Sequence, residues 1–162
     1  MAEIVLMRHG HAFSAQRAGA QPDSERPLSP LGEAEARETA RHLNAAGFFP
    51  NLIISSPFLR ADRTASIAAE LFTGAERKKA AEISDGPLQA LLELILGTFP
   101  EDSRVLMVGH QPLLGAAAGF LLGMDGFELS PAGFVRLNSG KGPGAGSLIE
   151  YYTPPPPEDT NR

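Results

Sequence analysis

Three short apolar runs in this chain each stop at a cationic or titratable side chain, and that pattern restricts the fold more than any other feature. Ile4-Val5-Leu6-Met7 leads into Arg8-His9-Gly10, and Leu52-Ile53-Ile54 into Ser55-Ser56-Pro57-Phe58-Leu59-Arg60. Val105-Leu106-Met107-Val108 leads into Gly109-His110-Gln111-Pro112. Such aliphatic and β-branched runs read as buried strands. Ligands bind at the carboxyl edge of an open parallel sheet. Two histidines and two arginines gathered there describe a phosphate pocket with a nucleophile in it.

The intervening segments read as helices. Ser29-Pro30 is an N-cap followed by proline at the first helical position, and Gly47 is the glycine stop. On this helix Gly32, Ala36, Ala40, Leu43 and Ala46 share a face of mostly small residues, which predicts close packing against a sheet. Ser56-Pro57 repeats the capping signature and opens a helix to about Phe72, with Ala61, Ala65, Ala68 and Leu71 inward. Pro87 opens another to about Leu96, and Pro112 a fourth to about Leu122. Phe134–Leu137 and Ser147–Tyr152 read as two final strands around a mobile glycine-rich loop, Ser139 to Gly146, that matches no phosphate-binding fingerprint. The order strand, helix, strand, helix, helix, strand, helix predicts a three-layer α/β/α sandwich on a mostly parallel sheet.

At 162 residues the chain is long enough for one domain with a substantial core. Residues 1–153 are expected to form it, with a proline-rich flexible tail over 154–162. The net charge of −5, with no basic stripe, argues against nucleic-acid binding. Zero cysteines exclude disulfides and thiol catalysis and fit a cytoplasmic protein. Val105 to Met124 carries no formal charge, but Gly109-His110-Gln111-Pro112 interrupts it. A buried strand followed by a buried helix is therefore the reading, not a membrane span.

His9 is the candidate nucleophile. A neutral imidazole attacks phosphorus, and its ordinary pKa of roughly 6.5 leaves much of it unprotonated near neutrality. Neighbouring cations favour the neutral form further. Arg8 and Arg60 supply planar forks that fit phosphoryl oxygens. Holding the group in line and neutralising its equatorial oxygens is most of what phosphoryl transfer requires. Arg60 also lies in the first turn of a helix, whose amides favour an anion. His110, protonated, would donate one more charged hydrogen bond.

These residues resemble the histidine phosphatase superfamily, of phosphoglycerate-mutase-like fold, and within it the SixA-type phosphohistidine phosphatases. The resemblance spans nearly the whole chain. Leu6-Met7-Arg8-His9-Gly10-His11-Ala12 is similar to the first motif, and Arg26-Pro27-Leu28-Ser29-Pro30-Leu31-Gly32 to the segment before the first helix. Ser55 to Ala65 and Val108-Gly109-His110-Gln111-Pro112 are similar to the second and third motifs. The resemblance implies transient phosphorylation of His9 within a pocket of Arg8, Arg60 and His110, with no cofactor and no metal. Arg26 is a further candidate for the substrate phosphate.

The general acid is open at this level. A departing alkoxide needs a proton badly, whereas an imidazole leaves as a weakly basic neutral ring. Glu82, Asp85 and Glu93 lie in the right interval, none in a clear motif; Asp85, beside Gly86-Pro87 at an expected strand end, is the reserve choice. The lack of a clear acid favours an N–P bond. Only 49 residues separate Arg60 from His110, too few for a lid, so an open mouth would suit a phosphohistidine displayed on a histidine-phosphotransfer-type protein. The loop Phe13–Pro27 could still fold over the site.

Three rivals remain. One keeps the nucleophile but takes a small phosphoester or phosphoanhydride. Another is a phosphate-recognising module without turnover. The third is a zinc hydrolase using His9, His11 and His110, disfavoured because alternate strand residues point apart and Arg8 repels a dication. His11 is expected at the pocket rim, and His42, near Glu38 on a charged helix face, at the surface.

Overall fold

The structure is a computed structural model, and it describes residues 2–14, 16, 19, 22–97 and 99–156. The tail residues 157–162, and 15, 17, 18, 20 and 21 of the loop before the first helix, lie outside the described residues. Six strands form one sheet: β1 (Glu3–Arg8), β2 (Leu52–Ser55), β3 (Glu76–Lys79), β4 (Arg104–Gly109), β5 (Phe134–Asn138) and β6 (Ser147–Tyr152). Their spatial order is β3-β2-β4-β1-β5-β6. The first four run parallel, and β5 and β6 complete the sheet antiparallel.

Among the described residues four helices cover it: α1 (Pro30–Ala45), α2 (Leu59–Leu71), α3 (Leu88–Gly97) and α4 (Leu113–Leu122). Strand side chains alternate between faces. Val5, Met7, Ile53, Leu106 and Val108 pack with Ala40 and Leu43 of α1 and Ala61, Ala65 and Ala68 of α2. Ile4, Leu6, Ile54, Val105 and Met107 pack with Leu91 and Ile95 of α3 and Leu114 and Leu121 of α4. This is the expected α/β/α sandwich. Residues 105–124 resolve into β4 and α4, and among the described residues no helix is long and apolar enough to cross a membrane.

Several details differ from expectation. A fourth parallel strand, β3, is made of Glu76-Arg77-Lys78-Lys79 and carries no apolar signal; as an edge strand it pairs only with β2. Asp85 accordingly follows a 3-10 turn over Ala81–Ile83 and does not sit at a strand end. α2 ends at Leu71, which is exposed, and Phe72 just beyond it turns inward instead, at 6% exposure. On α1 Thr39 is buried and bonds Ala132 O at 2.9 Å, while Ala46 is exposed. The glycine-rich loop is tied down: Gly144 N–H and Gly146 N–H donate to Phe120 O and Leu121 O at the end of α4. His42 is half-buried, stacked on Tyr152 at 4.0 Å and 2.7 Å from Glu150 Oε2.

Small residues bring α1 onto the loop after β1. A Cβ on Gly32 would lie 2.0 Å from His11 O, and one on Gly10 would lie 2.5 Å from Gly32 O. Only glycine permits that approach. Ser29 closes the corner, its Oγ accepting Gly32 N–H at 3.1 Å as the N-cap of α1 and donating to His11 O.

Candidate active site

Strand register brings the distant motifs together. Arg8 of β1 is the partner of Gly109 of β4, so His9 and His110 are the next residues of two adjacent strands. Their ring centroids are 5.1 Å apart. On the other side of β4, Ser55 pairs with Val108, so Ser56 lies beside Gly109, next to His110 in the chain. Arg60, the second residue of α2, is buried and reaches back over the same edge. Its Nε–H donates to His9 Nε2 at 3.3 Å. Thr64, one turn further along α2, holds the corner by accepting Gly10 N–H at 3.1 Å and donating to Arg60 O at 2.7 Å.

The His9 tautomer follows from its partners. Nδ1 lies 2.6 Å from Gly10 O, and a carbonyl can only accept, so Nδ1 carries the hydrogen. Nε2 is then left with a lone pair, directed toward Arg60. A pocket of about 460 Å³ opens here, lined by Arg8, His9, His11, Asp23, Arg26, Phe58, Arg60, Ser84, Asp85, His110 and Gln111 among others. All seven site residues expected from the sequence therefore line one pocket. Glu82 and Glu93 do not; Glu93 accepts from Gln89 on the exposed face of α3.

The chain matches the family described as histidine phosphatase superfamily (branch 1) over residues 4–91. An uncharacterized protein of Picosynechococcus sp. strain PCC 7002 is 35% identical over 143 residues, covering 85% of this chain and 86% of that protein. The chain belongs to the histidine phosphatase superfamily. A solved protein from Agrobacterium tumefaciens, assigned as phosphohistidine phosphatase SixA, superposes with a TM-score of 0.79 at 25% identity, covering 94% of this chain and 98% of that one. The protein histidine phosphatase SixA complexed with tungstate shares the fold, with a TM-score of 0.83 at 24% identity, over 94% and 97% of the two chains. Within the superfamily the chain is of SixA type, a hydrolase acting on phosphoryl groups.

The electrostatics of this histidine phosphatase pocket follow from burial beside cations. Burial, above all, pushes His9 down to about 3; His110, Arg60 and Arg8 add to that, while the Gly10 carbonyl opposes it. Burial and then Arg60 bring His110 down to about 4, against Asp23 and Asp85. His110 is thus neutral at pH 7 in the empty pocket. Burial also lowers Arg8, whose Nη1 donates to Leu129 O at 2.9 Å and whose buried Nε has no partner among the described residues. His11, at the rim as expected, holds Ser29 Oγ through Nδ1 at 2.7 Å. Among the described residues no group of three or more His, Cys, Asp or Glu side chains is placed to hold a metal ion.

Asp23 is a pocket residue that sequence reasoning missed. It begins a 3-10 turn, Asp23–Glu25, in the loop before α1. Arg60 Nη1 donates to Asp23 O at 2.7 Å and Nη2 to Asp23 Oδ2 at 3.1 Å, while Arg26 Nε donates to Oδ1 at 2.8 Å. The Arg26 hydrogen bond, with Arg60 behind it, holds the Asp23 carboxyl below the ordinary range, so it is a carboxylate and not an acid. Of the loop Phe13–Pro27, Asp23 and Arg26 reach the pocket lining. No motif marks Asp23; an aspartate three residues before Arg26 was the available signal.

Proposed function

We propose that this protein is a metal-independent phosphatase that carries the phosphoryl group on His9 and takes it from phosphohistidine displayed on another protein. One observation carries the reading: the Nδ1–H to Gly10 O bond leaves His9 Nε2 with a lone pair, within hydrogen-bonding distance of the Arg60 guanidinium. The His9 Nε2 lone pair attacks phosphorus as the N–P bond of a substrate ring protonated on its other nitrogen breaks; the electron pair stays on the departing nitrogen, and the ring leaves as neutral imidazole. Arg8 and Arg60 neutralise the equatorial oxygens, and His110 and Arg26 hold the group from the sides. Water then attacks the phosphorus of phospho-His9, phosphate leaves, and His9 Nε2 regains its lone pair.

The substrate class rests on the acids. Asp23 is held ionised by Arg26 and Arg60, and Glu82 and Glu93 lie away from the pocket. A leaving imidazole needs no strong acid, whereas an alkoxide does. The similarity to the Agrobacterium tumefaciens SixA protein supports the same choice, and a cytoplasmic phosphotransfer protein is the substrate we expect. A second reading, a small phosphoester or phosphoanhydride, is favoured by Asp85, the remaining pocket carboxyl. A panel of phosphoramidates against sugar and serine phosphates, run with wild type and Asp85→Asn, separates the two. Phosphohistidine turnover that survives Asp85→Asn and is indifferent to chelators is the expected result. Dominant ester turnover that collapses in Asp85→Asn would favour the second reading.

A further inference from the structure

His110 lines the pocket, yet its Nε2 is taken up by the protein, 2.8 Å from Ser56 Oγ. Ser56 Oγ in turn lies 2.5 Å from Ser84 Oγ and accepts Phe58 N–H at 3.1 Å. Ser56 is fully buried at the end of β2, and Ser84 is half-buried just after the 3-10 turn, on the pocket wall. A hydroxyl offers one hydrogen and two lone pairs. One lone pair of Ser56 belongs to Phe58 N–H, so its hydrogen and its second lone pair are divided between His110 and Ser84. Only two arrangements satisfy all three groups. Either Ser84 donates to Ser56 and Ser56 to His110 Nε2, or His110 Nε2–H donates to Ser56 and Ser56 to Ser84.

We infer that the first arrangement operates, and that Ser84 and Ser56 are positioning residues that hold His110 with its hydrogen on Nδ1, as a donor to the phosphoryl group. The inference rests on the pocket taking a phosphoryl group, as proposed above. With Nε2 committed to Ser56, Nδ1 is the ring's one remaining polar atom. Around this ring stand Arg60 from α2, Arg8 and His9 from the end of β1, and the opposing carboxylates of Asp23 and Asp85. Burial and Arg60 outweigh those carboxylates and leave the ring neutral at pH 7. A neutral imidazole has a single N–H. Spent on Ser56, it would turn a lone pair toward an anion; kept on Nδ1, it stabilises that anion. Keeping it on Nδ1 requires a proton donor at Nε2: when Ser84 fills the last lone pair of Ser56, Ser56 has none left to accept from His110 and can only donate to it. The serine pair thereby lets His110 donate without becoming a cation.

Nitrogen-15 labelling of the histidines tests this, through long-range proton–nitrogen correlations at pH 7 and with orthovanadate as the phosphate-shaped probe. The expected wild-type pattern for His110 is a pyrrole-type Nδ1 and a pyridine-type Nε2. Ser84→Ala is expected to move His110 toward the Nε2–H form and to weaken orthovanadate binding about tenfold, the loss of one hydrogen bond to a charged group. Ser84→Thr, which keeps the hydroxyl, restores both. A wild-type His110 protonated at Nε2, or a Ser84→Ala protein with the wild-type pattern, overturns the inference. If the tautomer shifts as stated but orthovanadate does not bind and no substrate turns over, the serine pair stands and the phosphatase reading fails.

Discussion

Lowering the pH should unfold this protein through its two pocket histidines. In the folded chain His9 titrates at about 3 and His110 at about 4, against roughly 6.5 in an unfolded chain. Both folded values are depressed, so the stabilisation is complete above pH 6.5 and is lost as pH falls toward the folded values. Below 6.5 the unfolded chain binds a proton at each histidine that the native chain refuses. Each histidine then costs about 1.4 kcal/mol per pH unit. At pH 5 the two together remove about 4 kcal/mol, a large part of a stability that is typically 5–15 kcal/mol. Urea unfolding at pH 7, 6 and 5 measures this, and with a urea slope of about 2 kcal/mol/M the midpoint should fall by roughly 2 M. His110→Gln and His9→Gln should each lose about half of the pH slope, whatever their stability at pH 7. Equal slopes in wild type and both variants over this range would refute the reasoning, because the burial of neutral imidazoles would then not be what separates the two states.

Catalysis should show the same depression: kcat/KM is expected to have no acid limb near 6.5 from the nucleophile, staying level from pH 8 to 5 while the protein remains folded. A limb at 6.5 that disappears in no His110 variant would place the His9 pKa elsewhere. Gly32→Ala, whose Cβ would fall 2.0 Å from His11 O, should destabilise the fold by about 1–3 kcal/mol in urea unfolding and lower kcat by shifting His9. Arg60→Lys keeps the charge but loses the fork that spans His9 Nε2 and Asp23. It should therefore cost at least about tenfold in kcat/KM, and unchanged steady-state kinetics would remove Arg60 from the pocket.

Much of this architecture was legible because burial writes itself into short apolar runs. β1, β2 and β4 are interior strands whose side chains are covered on both faces, and Ser29-Pro30 announces α1 by its cap. β3 was invisible for the opposite reason: an edge strand pairs on one side, and Glu76, Lys78 and Lys79 remain exposed. The Leu71 and Phe72 exchange turns on where α2 stops, since backbone past the last helical residue rotates the next side chain inward. His42 was assigned from its own helix, but its partners Glu150 and Tyr152 arrive from a strand more than a hundred residues away. The pocket residues were readable from their motifs, whereas the register that sets Arg8 opposite Gly109, the contact of Asp23 with Arg60, and the serine pair behind His110 exist only in three dimensions.

The central claim, that His9 Nε2 carries the phosphoryl group, is tested most directly by rapid acid-free quenching of the enzyme with a labelled phosphoramidate, followed by peptide mapping under alkaline conditions. The account predicts phosphate on the peptide containing His9, bonded at Nε2, stable to base, lost in acid and absent from His9→Ala. Label on any other residue, or label retained by His9→Ala, would contradict it.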